Sequence, residues 1–120
     1  MSEVMFTKLT TCDPEATIGE AATLMGERRI GSVLICDDQR LVGIVTERDV
    51  VRALSAAHDA PQRPVAEWMT KGPTTIGPDA DVQQALRTMV DGGFRHLPVT
   101  EGERVVGMLS IRDVAGAIAG

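Results

Sequence analysis

Apolar positions along this chain switch between helical and strand-like spacing. In "TIGEAATLMGER", Ile18, Ala21, Ala22 and Met25 fall three and four apart, the pattern of one buried helix face. Beyond "GERRIG" come two apolar runs, "SVLIC" and "LVGIVT", parted by the polar "DDQR", which predicts a hairpin-like strand pair. A second helix is expected to begin at Thr46, with Val50 and Leu54 on its inner side. A short extended piece over Leu9 to Cys12 precedes Pro14 and the first helix. Thr17 with Glu20, and Thr46 with Asp49, fit the capping pattern, in which a hydroxyl and a side chain three residues on satisfy each other's backbone N–H groups. The unit reads strand, helix, strand, strand, helix.

The same order then repeats. Shifting the chain by 64 positions aligns residues 2–56 with 66–120 without a gap, and fifteen of the 55 pairs are identical, which marks a duplicated supersecondary unit. In the second copy Thr74 to Ile76 is the extended piece and Asp81 with Gln84 the cap. Val82, Ala85, Leu86, Met89 and Val90 form the first helix face, "HLPVT" and "RVVGMLS" the strand pair, and Val114 and Ile118 the inner side of a helix starting at Ser110. The segment 57–65, with Pro61 and Pro64, reads as a linker. A unit of this length buries a core poorly alone, so the two are expected to pack as one α/β (α+β) module, 1–120, with pseudo-twofold symmetry and two equivalent clefts.

Composition narrows the function. Seventeen acidic against twelve basic residues leave a net charge of -5, which disfavours nucleic-acid binding through a broad basic face. Phe6, Phe94 and Trp68 are the only aromatics, so the core must come from aliphatic residues and Met. Cys12 and Cys36 lack metal-type spacing and read as reduced, buried thiols. No signal-like or membrane-length apolar run occurs, and a cytoplasmic protein is expected.

The most repeated words are "GIVTERDV" and "GMLSIRDV", glycine, two apolar residues, a hydroxyl and an aspartate three residues later. With the lead-ins "SEVM" and "AEWMT", the early threonines and "RHLPV", they make the whole chain resemble the cystathionine-β-synthase (CBS) domain pair, or Bateman module. The resemblance implies an adenosine-containing ligand, AMP, ADP, ATP or S-adenosylmethionine, between the repeats, with hydroxyl and carboxylate on the ribose. It assigns Thr46, Arg48, Asp49, Met69, Thr74, Thr75, Phe94, Arg95 and His96 to one site. It assigns Ser110, Arg112, Asp113, Met5, Thr10, Thr11, Ile30, Gly31 and Ser32 to the other. Where the second repeat has Arg95-His96 the first has Gly31-Ser32, so the Asp49 site is the one expected to suit a phosphate.

Several residues carry two readings. Arg48 and Arg112 fit either phosphate contacts or solvated surface positions, and Lys71 a phosphate or plain solvent. Trp68 fits a base pocket or the packing of a seam. Arg28 and Arg29 are explained by the helix C-terminus they close. Asp37-Asp38 reads as a turn rather than a cation site. His58 falls in the linker, no nucleophile motif stands beside His96, and neither phosphate-loop nor dinucleotide motif occurs, so no enzyme and no metal are expected. Two functions follow: a regulatory ligand sensor signalling to an effector in trans, or a structural dimerisation or docking module whose hydroxyl–carboxylate pairs are only caps. A homodimer is expected under both, with no membrane partner.

Overall fold

A computed structural model describes residues 9–119. They fall into two compact units, Thr10–Pro73 and, within the described residues, Leu9 with 74–119. The first contains β1 (Thr11–Cys12), α1 (Ile18–Arg28), β2 (Ser32–Asp37), β3 (Arg40–Thr46), α2 (Glu47–Ala56) and β4 (Thr70–Lys71). β1 runs parallel to β2, while β2 and β4 each pair antiparallel with β3. α1 starts where Thr17 Oγ1 accepts the Glu20 N–H at 3.1 Å. Its apolar stripe, Ile18, Ala21 and Met25, packs on Val33, Ile35 and Val45 of the hairpin. The segment with Pro61 and Pro64 is tied to α1. The Val65 N–H donates to Ala16 O at 2.7 Å and the Ile18 N–H to Arg63 O at 2.9 Å, while Ala60 and Val65 are fully buried in this core.

The second unit contains α3 (Val82–Gly92), β5 (His96–Glu101), β6 (Arg104–Ser110) and α4 (Ile111–Ala119). Its extended lead-in shrinks to one parallel bridge, Ile76 with Val99. A complete capping box at Asp81 and Gln84 starts α3. Ala85, Met89, Leu97, Val99, Leu109 and Val114 make its core. The duplication extends to irregularities: both hairpins slip register at aligned positions, between Ile35 and Cys36 and between Val99 and Thr100.

Three expectations about burial need correction. Leu54 and Ile118 are 50% and 42% exposed rather than on an inner side, and Val90, expected on the buried face of α3, is 62% exposed, about 100° round from the buried Met89. In α2 the buried positions are Asp49 and Ala53, four apart, and Leu54 lies about 100° round from Ala53. In α4 Val114 is buried, but Ile118 stands a turn further on, beside the helix end.

α1 ends on Arg29 in the left-handed region, φ 55°, and α3 ends at the aligned position on Gly93, φ 72°. A side chain there clashes with its own backbone, and glycine does not. Arg29→Gly is therefore expected to stabilise the protein by about 0.5–1 kcal/mol, the relief of strain exceeding the added freedom of the unfolded chain. Urea denaturation checks this; a lower midpoint would contradict it.

Candidate functional site

β3 delivers Thr46, in extended conformation (φ -112°, ψ 169°), to the start of α2. Its hydroxyl accepts the Asp49 N–H at 3.3 Å and donates to Asp49 Oδ2 at 3.1 Å, and its own N–H donates to Oδ2 at 2.9 Å. The next turn supplies Arg52, whose Nη2 donates to Asp49 Oδ1 at 3.0 Å. Asp49 is only 6% exposed, a buried carboxylate held by an oriented set of donors.

The second unit builds a lighter version. Ser110 Oγ accepts the Asp113 N–H at 3.1 Å and donates to Asp113 Oδ2 at 2.8 Å. Arg52 aligns with Gly116, so the second unit has no counterpart of the Arg52–Asp49 contact. Both carboxylates stand in the first turn of a helix, where free N–H groups and the helix dipole favour negative charge.

The other expected site residues are placed as follows. Met69, half-buried, lies against Gly43 of β3, where a Cβ would collide with Met69 Sδ, so the glycine is what lets Met69 and β4 approach. Phe94 lies across the last turn of α3, because Gly92 has no side chain in the way of its ring. Arg95 is exposed and its carbonyl accepts the Ile111 N–H at 2.8 Å; His96 opens β5 opposite Ser110. In the first unit the Gly31 carbonyl accepts the Glu47 N–H at 3.1 Å, and buried Ser32 opens β2 opposite Thr46. The Ile30 N–H donates to Met25 O. Each strand edge is thus joined to its own unit's helix start. Thr11, Thr74, Thr75, Arg48 and Arg112 are exposed, with Thr75 Oγ1 accepting from Thr100 at 3.3 Å. Met5 lies outside the described residues.

Two contacts escaped the sequence reading. Arg52 engages Asp49, and Arg28 Nη1 donates to the Thr10 hydroxyl at 2.9 Å. Both arginines align with glycines, Gly116 and Gly92, and that contrast was the available signal. Trp68 packs on the first core, its indole N–H buried with no hydrogen-bond partner among the described residues. Cys12 and Cys36 are free thiols. Burial pushes both up from the usual thiol range, helped at Cys12 by Glu20 and opposed there by Arg28. Among the described residues no group of three or more His, Cys, Asp or Glu could hold a metal ion, and no helix is long and apolar enough to cross a membrane.

The family model described as CBS domain matches residues 1–56 and again 65–120. The chain belongs to the CBS-domain family. Among relatives of this CBS pair, an uncharacterized 17.7 kDa protein of Acidianus ambivalens is 41% identical over 98% of this chain and 72% of its own length. The chain spans only 21% of the Arabidopsis thaliana CBS domain-containing protein CBSCBSPB1. Among solved structures, the CBS-domain containing protein ATU1752 from Agrobacterium tumefaciens is 36% identical, with TM-score 0.86 over 93% of this chain and 90% of that one. CBSX2 in complex with AMP shares the fold at 22% identity, with TM-score 0.85 over 97% of this chain and 91% of that one.

Proposed function

We propose that this CBS pair is a regulatory module that binds an adenosine-containing ligand between its repeats and signals its presence to an effector protein in trans. The observation that carries this reading is the repeated arrangement of hydroxyl and carboxylate at a helix start, Thr46 with Asp49 and Ser110 with Asp113. A vicinal diol donates two hydrogen bonds to a carboxylate, and such charge-assisted bonds exceed neutral ones in strength. Support also comes from CBSX2, a protein of the same fold solved with AMP. In the first site Thr46 and Asp49 hold the ribose, Met69, Thr74, Thr75 and Phe94 flank the base, and Arg48, Arg95 and His96 serve the phosphate. In the second Ser110, Arg112 and Asp113 act with Met5, Thr10, Thr11, Ile30, Gly31 and Ser32, and with no basic strand edge it stays empty, binds more weakly or takes a less charged ligand. AMP, ADP, ATP and S-adenosylmethionine are the candidates. Bound ligand can bias an effector only by its difference in affinity between two states of the module.

Thermal unfolding tests this. A ligand at 100 times its dissociation constant adds about 2.7 kcal/mol to native stability, and AMP, ADP or ATP is expected to raise the melting temperature accordingly. An unmoved transition with all four compounds would leave the pairs as caps alone.

A structural dimerisation or docking role is the second reading, favoured by apolar side chains left outside. Val51, Leu54, Val90 and Ile118 are 62%, 50%, 62% and 42% exposed on helices. A homodimer formed through such faces is compatible with either role, so oligomeric state does not choose between them.

A further inference from the structure

We infer that Arg52 competes with the ribose for Asp49, so that an internal cation lowers the affinity of this site and has no counterpart at the aligned Gly116. The inference rests on the nucleotide reading above. A carboxylate offers about four acceptor positions. At Asp49 three are taken, by the Thr46 N–H, the Thr46 hydroxyl and Arg52 Nη2. A ribose diol brings two O–H donors, so both can bind Asp49 only if Arg52 lets go. At Asp113 the Ser110 hydroxyl donates, and Gly116 supplies no counterpart of Arg52.

The size of the competition follows from exposure. The Asp49 side chain is 9% exposed, but that of Arg52 is 58% exposed and water competes freely for its guanidinium. Such a pair weakens ligand binding by about two- to fivefold, not by orders of magnitude. The ribose can therefore displace Arg52, and the energy for doing so comes from the rest of the ligand. Arg52 thus lowers the affinity of the Asp49 site for every ribose ligand alike and leaves the choice among them to the rest of the site.

The repeat supplies a reciprocal experiment, with AMP as the probe and calorimetry as the readout. In an Asp113→Ala background, which isolates the Asp49 site, Arg52→Ala is expected to tighten AMP binding by about two- to fivefold, and Arg52→Lys by less. In an Asp49→Ala background, Gly116→Arg is expected to weaken AMP binding at Asp113 by a similar factor. A Cβ on Gly116 meets nothing within 4 Å, and replacing a helical glycine raises the melting temperature at the same time. A merely structural role would move stability and affinity in the same direction. If the unmodified protein binds AMP but neither substitution changes affinity in its background, the role of Arg52 falls and the nucleotide reading stands. If the unmodified protein binds no adenosine compound, the nucleotide reading falls and Arg52 with it.

Discussion

Shortening Met89 to alanine is expected to cost about 2–5 kcal/mol, a large share of the roughly 5–15 kcal/mol that holds a domain folded. Met89 is fully buried, and the core around it is small: Ala85, Leu97, Val99, Leu109 and Val114, with no aromatic ring to spread into the gap. Leu97, Val99 and Leu109 are fixed by the β5–β6 ladder and Val114 by α4, so the space left by the thioether cannot close by local collapse. Met25, its counterpart in the first unit, is 5% exposed within a larger cluster that Ala60 and Val65 complete. Met25→Ala is accordingly expected at the lower end of the same range. Urea denaturation of the two variants decides it. A loss below about 1 kcal/mol at Met89 would mean that the second core relaxes freely and is not close-packed.

Much of this architecture was legible because the chain states it twice. Periodicity alone suggested helices around Met25 and Met89, and the 64-residue offset turned two local patterns into one unit used twice. Even the hairpin slips at Ile35 and Val99 obey that offset. What periodicity did not reveal was which apolar positions face inward on short helices. Leu54 and Ile118 look like core residues in the sequence, but the capping box turns Asp49 and Ala53 inward and leaves Leu54 outside. Nor does it show that Ala60 and Val65, which flank Pro61 and Pro64, help close the first core. That depends on backbone hydrogen bonds to Ala16 and from Ile18, which leave no mark in the hydrophobic pattern.

The candidate site divides in the same way. Thr46 with Asp49 and Ser110 with Asp113 were visible because their spacing is that of a capping box, and both hydroxyl–carboxylate pairs form. Arg52 was overlooked because an exposed helical arginine is ordinarily a solvated one. Its meaning emerges only from the 3.0 Å contact with Asp49 and from the glycine at the aligned position. Comparing repeats for equality found the shared chemistry. Comparing them for cations lost, Arg28 to Gly92 and Arg52 to Gly116, would have found the asymmetry.

Asp49→Ala is the substitution expected to change ligand response most. It removes the acceptor of three hydrogen bonds, and loss of the cap alone should lower stability by about 1–2 kcal/mol. On the nucleotide reading it also removes the carboxylate that takes the ribose. Hydrogen bonds to a charged group contribute about 1.5–3 kcal/mol each, so affinity should fall roughly a hundredfold. At an AMP concentration that adds about 2.7 kcal/mol to the unmodified protein, the variant would then gain only about 0.4 kcal/mol. On the same reading Asp113→Ala should erase less of the AMP response, since the site proposed for it has Gly31-Ser32 where the other has Arg95-His96. Thermal unfolding with and without AMP separates the two effects, since a lost cap lowers both curves equally while a lost ligand contact closes the gap between them. Asp49→Asn sharpens the test by keeping the shape of the cap while removing the charge. If Asp49→Ala melts lower yet AMP still raises its midpoint by the full amount, Asp49 is a cap and the ribose lies elsewhere.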